Sequence, residues 1–157
     1  MGASPALFTI GYEGATLDTL IAALAQAGVR TLVDVRDRPY SRKPGFSKPS
    51  LSAAMERAGV RYVHLGALGT PAEGRDAARA GRHDVFKRIM KTRLDAAEGQ
   101  GGLAQAATLA KSQGPICLLC LERDPADCHR SLVADRLKRR TRLPVRHLAI
   151  GKSLSAA

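Results

Sequence analysis

The sequence has no tryptophan and only three phenylalanines and three tyrosines, so aromatics make up 4% of its 157 residues. That scarcity weakens any binding mode built on rows of stacked bases. No apolar run approaches the roughly 18 residues that a membrane-spanning helix needs, and no membrane partner is expected. Met1 to Ile10 lacks a basic stretch followed by an apolar one. It does not read as a signal peptide, which makes the expected location cytoplasmic. No G-x-G-x-x-G follows the first apolar run and no Walker loop occurs. Gly11 and Gly14 are too few to cradle a dinucleotide, so no cofactor is expected. Cysteine is also scarce. Cys117, Cys120 and Cys128 are bunched rather than dispersed in the even number of a secreted disulfide scaffold. They are expected as thiols, metal ligands or catalytic groups, or as small buried hydrophobes.

What remains is a globular composition, 45% hydrophobic and 25% charged. The length suits one domain over residues 1–157, with a core at about 7–150 and a short tail at 151–157. The net charge is +11, carried by 18 Arg and 7 Lys. Residues 131–157 hold seven basic groups and one acidic, and Arg136, Lys138, Arg139, Arg140 and Arg142 form the densest run. Such an excess fits an anionic small molecule or a nucleic acid as partner. A solvated helix face accounts for the run equally well. Oligomeric state is not readable.

Apolar runs alternate with helical patterns. Strands are expected at Leu7 to Tyr12, Thr31 to Arg36, Arg61 to Leu65, Pro115 to Leu121 and Pro144 to Ile150. Thr16 caps a helix that Gly28 ends. Residues 37–49, with three prolines, read as loop. Ser50 or Ser52 starts the next helix, and residues 66–82 read as loop again. A helix from about Asp84 follows. Gly99 to Gly102 breaks the chain before a helix from Leu103 to Lys111. Asp124-Pro125 opens the last helix, which runs to Arg140. This alternation predicts a Rossmann-like α/β domain, a mostly parallel sheet of about five strands with helices on both faces.

In such sheets ligands bind beyond the carboxyl ends of the strands, so polar strand ends are the candidate site. Side chains alternate along a strand, which puts Asp34 and Arg36 on one side and Val33 and Val35 on the other. Cys120 and Glu122 repeat the pattern, with Leu119 and Leu121 opposite. A buried acid needs a partner or a function, and Asp34 pairing with Arg36 or Arg42 is the structural alternative. Cys128, His129 and Arg130 fall in the expected first turn of the last helix. The dipole there favours anions and lowers a thiol pKa, while Arg130 adds a planar cation. Helical spacing also allows Cys128 simply to face the core. His64, before Leu65-Gly66, reaches the same rim or is structural.

These residues carry a resemblance. Thr9 to Gly14, Leu32 to Arg36, Pro39, Ser41-Arg42, Pro44 to Lys48, Tyr62 to Leu65 with Leu68-Gly69, Leu119-Cys120, Glu122 to Pro125 and Cys128 to Ser131 together resemble domain of unknown function 488. The resemblance runs from about residue 7 to 150. It implies an α/β fold with no settled activity, and motif residues at Asp34, Arg36, Ser41, Arg42, Phe46, His64, Cys120, Glu122, Cys128, His129 and Arg130. Many members have Gly-His-Ser where this chain has Gly11-Tyr12-Glu13, which removes one histidine from any mechanism common to the family.

Four functions follow as expectations. The first is an enzyme or binding domain for a phosphate-bearing ligand. Arg36, Ser41, Arg42 and Arg130 would hold the anion, and Asp34, Glu122, His64 or His129 would move protons. The second is cysteine chemistry, of rhodanese-like type at the strand-end Cys120 with Cys128 as a further candidate thiol, weakened by Glu122, which repels anions and raises a nearby thiol pKa. The third, zinc held by Cys120, Cys128, His129 and His64, matches no strong ligand spacing, and no metal is assigned. The fourth is a nucleic-acid-binding module without catalysis, using the basic last helix.

Overall fold

A computed structural model describes residues 5–124 and 129–150. Five parallel strands form one sheet: β1 (Leu7–Gly11), β2 (Thr31–Asp34), β3 (Arg61–His64), β4 (Ile116–Cys120) and β5 (Val145–Leu148). Their spatial order is β3-β2-β4-β1-β5. The three inner strands are buried at every residue, and the two edge strands are not. This is why Leu7–Gly11 and Ile116–Cys120 read as continuous apolar runs rather than as alternation.

The helices are α1 (Leu17–Ala27), α2 (Lys48–Arg57), α3 (Ala72–Arg79), α4 (His83–Asp95), α5 (Ala97–Ser112) and α6 (Arg130–Thr141). α1 and α2 cover Phe8, Ile10, Leu32, Cys117 and Leu119 on one face of the sheet. α4, α5 and α6 cover Leu7, Val33, Ile116, Leu118 and Cys120 on the other. Among the described residues no helix is long and apolar enough to cross a membrane.

Thr16 caps α1 as the sequence predicts, in a reciprocal box with Thr19, and Gly28 ends it at φ 73. Four local expectations are corrected. α2 starts after Ser47 rather than at Ser50 or Ser52, with no side-chain cap bond from Ser47 and with Pro49 inside its first turn. Residues 66–82 hold a 3-10 turn at Gly66–Leu68 and the whole of α3. Gly99 to Gly102 does not break the chain, because α5 runs straight through it. A Cβ on Gly99 would stand 2.2 Å from the Arg93 carbonyl oxygen, so close packing on α4 outweighs the cost of about 1 kcal/mol per helical glycine. Cys120 is disulfide-bonded, where thiols or metal ligands are expected, and Cys117 stays a free, buried thiol. The expected Pro125 helix start and Cys128 lie outside the described residues.

The connections place the site. The chain leaves β1 and β2 over the α1/α2 face, and it leaves β4 over the α6 face. β4 lies between β1 and β2. Loops that diverge to opposite faces open a crevice at the strand ends, here over the end of β4.

Candidate functional site

The floor of the crevice is an ion pair. Asp34 is fully buried and takes two hydrogen bonds from the Arg36 guanidinium, Nε to Oδ1 at 2.8 Å and Nη2 to Oδ2 at 2.7 Å. It also accepts from the Arg36 backbone N–H and from the Tyr62 hydroxyl. Nη1 of Arg36 donates to the Phe46 carbonyl at 2.8 Å and to the Tyr12 hydroxyl at 3.2 Å. The Tyr12 and Phe46 rings stack at 4.7 Å. Burial alone would lower the Arg36 pKa, but Asp34 outweighs it and holds the guanidinium above its ordinary range. Burial and then Asp34 push the Tyr62 hydroxyl upward as well. Arg36 is therefore a permanent cation that anchors the following loop to the sheet.

β4 ends in a second polar knot. Arg130, fully buried, donates Nε to Thr9 Oγ1 at 3.0 Å, Nη1 to the Glu122 carbonyl and Nη2 to the Arg123 carbonyl at 3.0 Å. Its Nη1 also lies 3.1 Å from the Cys120 sulfur. Burial pushes the Arg130 pKa down. Thr9 hydrogen-bonds onward to His147 Nδ1 at 2.6 Å. The end of β1 lies hard against this knot, since a Cβ on Gly11 would stand 1.7 Å from the Glu122 carbonyl oxygen. Only glycine fits there. Asp34 and Cys120 belong to opposite faces of the sheet, and Arg36 rather than Asp34 shares the rim with Cys120.

His129 is buried, and its Nε2 lies 2.7 Å from the Val35 carbonyl. A carbonyl only accepts, so Nε2 carries the proton and Nδ1 is the unprotonated nitrogen. Burial first, and then Arg130, lower its pKa to about 4, against the Val35 bond and Asp34, which raise it. The ring is neutral at pH 7.

Above these groups opens a cavity of about 360 Å³, lined by Tyr12, Arg36, Asp37, Arg38, Tyr40, Thr70, Arg75, Cys120, Leu121, Glu122 and His129. Of the residues the sequence singles out, it brings together Arg36, Cys120, Glu122 and His129. Asp34 lies beneath Arg36, and Arg130 lies behind Glu122. Ser41 is spent within its loop, its hydroxyl accepting from Lys43 N. Arg42 is exposed and does not line the cavity. His64 Nε2 donates to the Arg36 carbonyl at 2.7 Å and also stays off the cavity.

Arg38, Tyr40, Arg75 and Leu121 line the cavity too, and none of them is among the residues the sequence singles out. Tyr40, 71% exposed, and Leu121, 45%, are the exposed large hydrophobics among the described residues, and both line this cavity. An aromatic stranded in the polar, proline-rich segment 37–49 was the available signal. Arg75 comes from α3, in a segment expected from the sequence as loop. It bonds Asp37 at 3.2 Å and the Thr70 carbonyl at 2.8 Å, while Arg93 holds the other oxygen of Asp37 at 2.7 Å. A larger cavity, about 560 Å³, lies between α3, α4 and α5. Arg88 and Arg93 there are balanced by Glu73 and Glu98, and none of the sequence-singled residues lines it.

The chain belongs to the family described as Domain of unknown function DUF488, whose model matches residues 16–137. No curated protein matches it, and no solved structure does.

Proposed function

We propose that the strand-end cavity binds a phosphate-bearing ligand with a planar ring, of nucleotide type, and that Glu122 and His129 move protons on it. One observation carries this reading: the exposed large hydrophobics Tyr40 and Leu121 share one cavity with the guanidinium groups of Arg38 and Arg75. An apolar, ring-sized surface beside planar cations matches a base joined to a phosphate. The volume suits a small ligand. The anion-holding role shifts from the expected Arg36 and Arg130 to Arg38; Arg75 beside it is already bonded to Asp37 and the Thr70 carbonyl. The first pair is committed to Asp34 and to backbone carbonyls, whereas Arg38 is exposed with no carboxylate in ion-pair range among the described residues. A neutral His129 with an unprotonated Nδ1 is in the protonation state of a general base at pH 7. The cytoplasmic location expected from the sequence belongs to the same proposal.

The test is thermal stabilisation of the protein by nucleoside mono- and triphosphates. Stabilisation by a nucleotide that is lost in Arg38→Ala and in Tyr40→Ala, with the unliganded midpoint unchanged, supports the proposal. Stabilisation that persists in both variants, or none from any nucleotide, removes it.

A further inference from the structure

The opposite end of the sheet carries most of the charge. Backbone hydrogen bonds tie its parts into one row: Arg61 N to the Arg30 carbonyl at 2.9 Å, Arg30 N to the Pro115 carbonyl at 2.9 Å, and Leu7 N to the Pro144 carbonyl at 2.8 Å. The four segments that feed strands at this end are residues 25–31, 54–61, 109–116 and 138–145. They contain eight basic residues and one acidic, Glu56, a net +7 of the chain's +11. Arg30, Arg57 and Arg61 lie on the β2/β3 side, and Lys138, Arg139 and Arg142 on the β5 side. All six are exposed. Among the described residues none has a carboxylate within ion-pair distance.

Helix dipoles do not account for this. The C-terminal turns of α1, α2, α5 and α6 point this way and each favours a nearby cation, worth about 0.3–1 kcal/mol. One cation per helix would suffice. Arg30 and Arg61 stand at strand starts, past the last turns of α1 and α2, and the dipole effect falls off within the last turn. Like charges held unpaired cost self-repulsion, and a polyanion relieves it.

We propose that this end of the sheet docks the phosphate backbone of duplex nucleic acid, independently of the strand-end cavity. The row spans five strands, roughly 19 Å at the usual strand spacing. Duplex DNA offers one phosphate charge about every 1.7 Å of axis, so a surface of this width meets enough phosphates to engage both groups of arginines. An anionic bilayer is the weaker fit. Peripheral membrane binding combines cations with apolar anchors, and Tyr40 and Leu121 lie at the other end of the molecule. The inferred contact is with the phosphate backbone, which carries no sequence information directly, so it is expected to be independent of sequence.

Duplex binding measured against salt tests the proposal. Two triple-alanine variants are compared with the native chain, one at Arg30, Arg57 and Arg61, the other at Lys138, Arg139 and Arg142. Each should lower affinity equally for unrelated duplexes and flatten the slope of log affinity on log salt by about 2–3. All six side chains are exposed, and unchanged thermal midpoints will verify folding. Unchanged slopes in both variants overturn the proposal. So does duplex binding that is abolished by Arg38→Ala or Tyr40→Ala, which would move the contact to the cavity. Capture by phosphatidylserine vesicles without duplex binding assigns the patch to membranes and also overturns it. Loss of nucleotide binding in the cavity, with duplex binding intact, would remove the proposed function and leave this one standing.

Discussion

The two ends of this sheet use arginine in opposite ways. The described residues of the loops after the strands, 12–16, 35–47, 65–71 and 121–124, hold five basic and four acidic groups. There the central guanidinium groups are buried and bonded: Arg36 to Asp34, Tyr12 and Phe46, and Arg130 to Thr9 and two carbonyls. At the other end eight basic groups face one acidic, and all eight are exposed with no carboxylate in ion-pair range among the described residues. A buried arginine is a structural part whose removal leaves other charges stranded. An exposed, unpaired one is free to meet a ligand and adds little to stability. The same residue type therefore predicts different losses at the two ends.

The largest expected loss is at the floor of the crevice. Arg36→Ala leaves the Asp34 carboxylate buried with its main partner gone, a change that typically costs about 3–5 kcal/mol. It also releases the loop through Phe46 and Tyr12. Equilibrium denaturation will measure this, and a loss below about 1 kcal/mol would contradict the structural role.

His129 gives the next effect, through pH. Its folded pKa is about 4, against an unfolded value near 6.5, so the unfolded chain takes up the proton first. The stability tied to the neutral ring is fully present above about pH 6.5 and is lost as pH falls towards 4, by about 3 kcal/mol. In His129→Gln that fall should largely vanish. Exposed His147 is pushed down as well, by burial and then Arg130, and leaves a smaller residual of the same sign. An unchanged pH profile in the variant would place the acid sensitivity elsewhere.

Much of the crevice was legible in the sequence, and the reasons are local. Leu32 to Asp34 and Ile116 to Cys120 read as strands because both faces of them are covered. The two-residue spacing of Asp34 and Arg36 already puts them on one side. Whether Arg36 would face a ligand or its neighbour was not legible, since that depends on Phe46 and Tyr12 arriving from distant segments. Arg75 was lost with α3, whose start Pro71-Ala72-Glu73-Gly74 looks like loop because its stability comes from packing on α4. Gly99 to Gly102 misled for the same reason, a tertiary contact overriding a local preference.

Smaller effects come from exposed cations. Arg38→Ala should cost about 1–3 kcal/mol of nucleotide binding and almost nothing in stability, as checked by paired calorimetric titration and denaturation. Its stability profile would match that of the far end, although it sits in the mixed-charge loops. Finding it as destabilising as Arg36→Ala would break the distinction between buried and exposed cations.

The smallest effect is expected at the charged end itself. Arg139→Ala loses a favourable term with the α6 dipole but relieves repulsion from Lys138, Arg140 and Arg142, and the two oppose each other. The net should stay within about 0.5 kcal/mol, or about 1–2 °C in thermal midpoint. Salt separates the two terms. If repulsion among the unpaired cations dominates, added sodium chloride screens it and raises the midpoint of the native chain. That rise should shrink in Arg139→Ala/Arg142→Ala. A midpoint that falls with salt would mean that attractive pairs, such as Arg136 with Asp95, govern the surface. The far end would then be electrostatically ordinary, and the contrast between the two ends would lose its energetic basis.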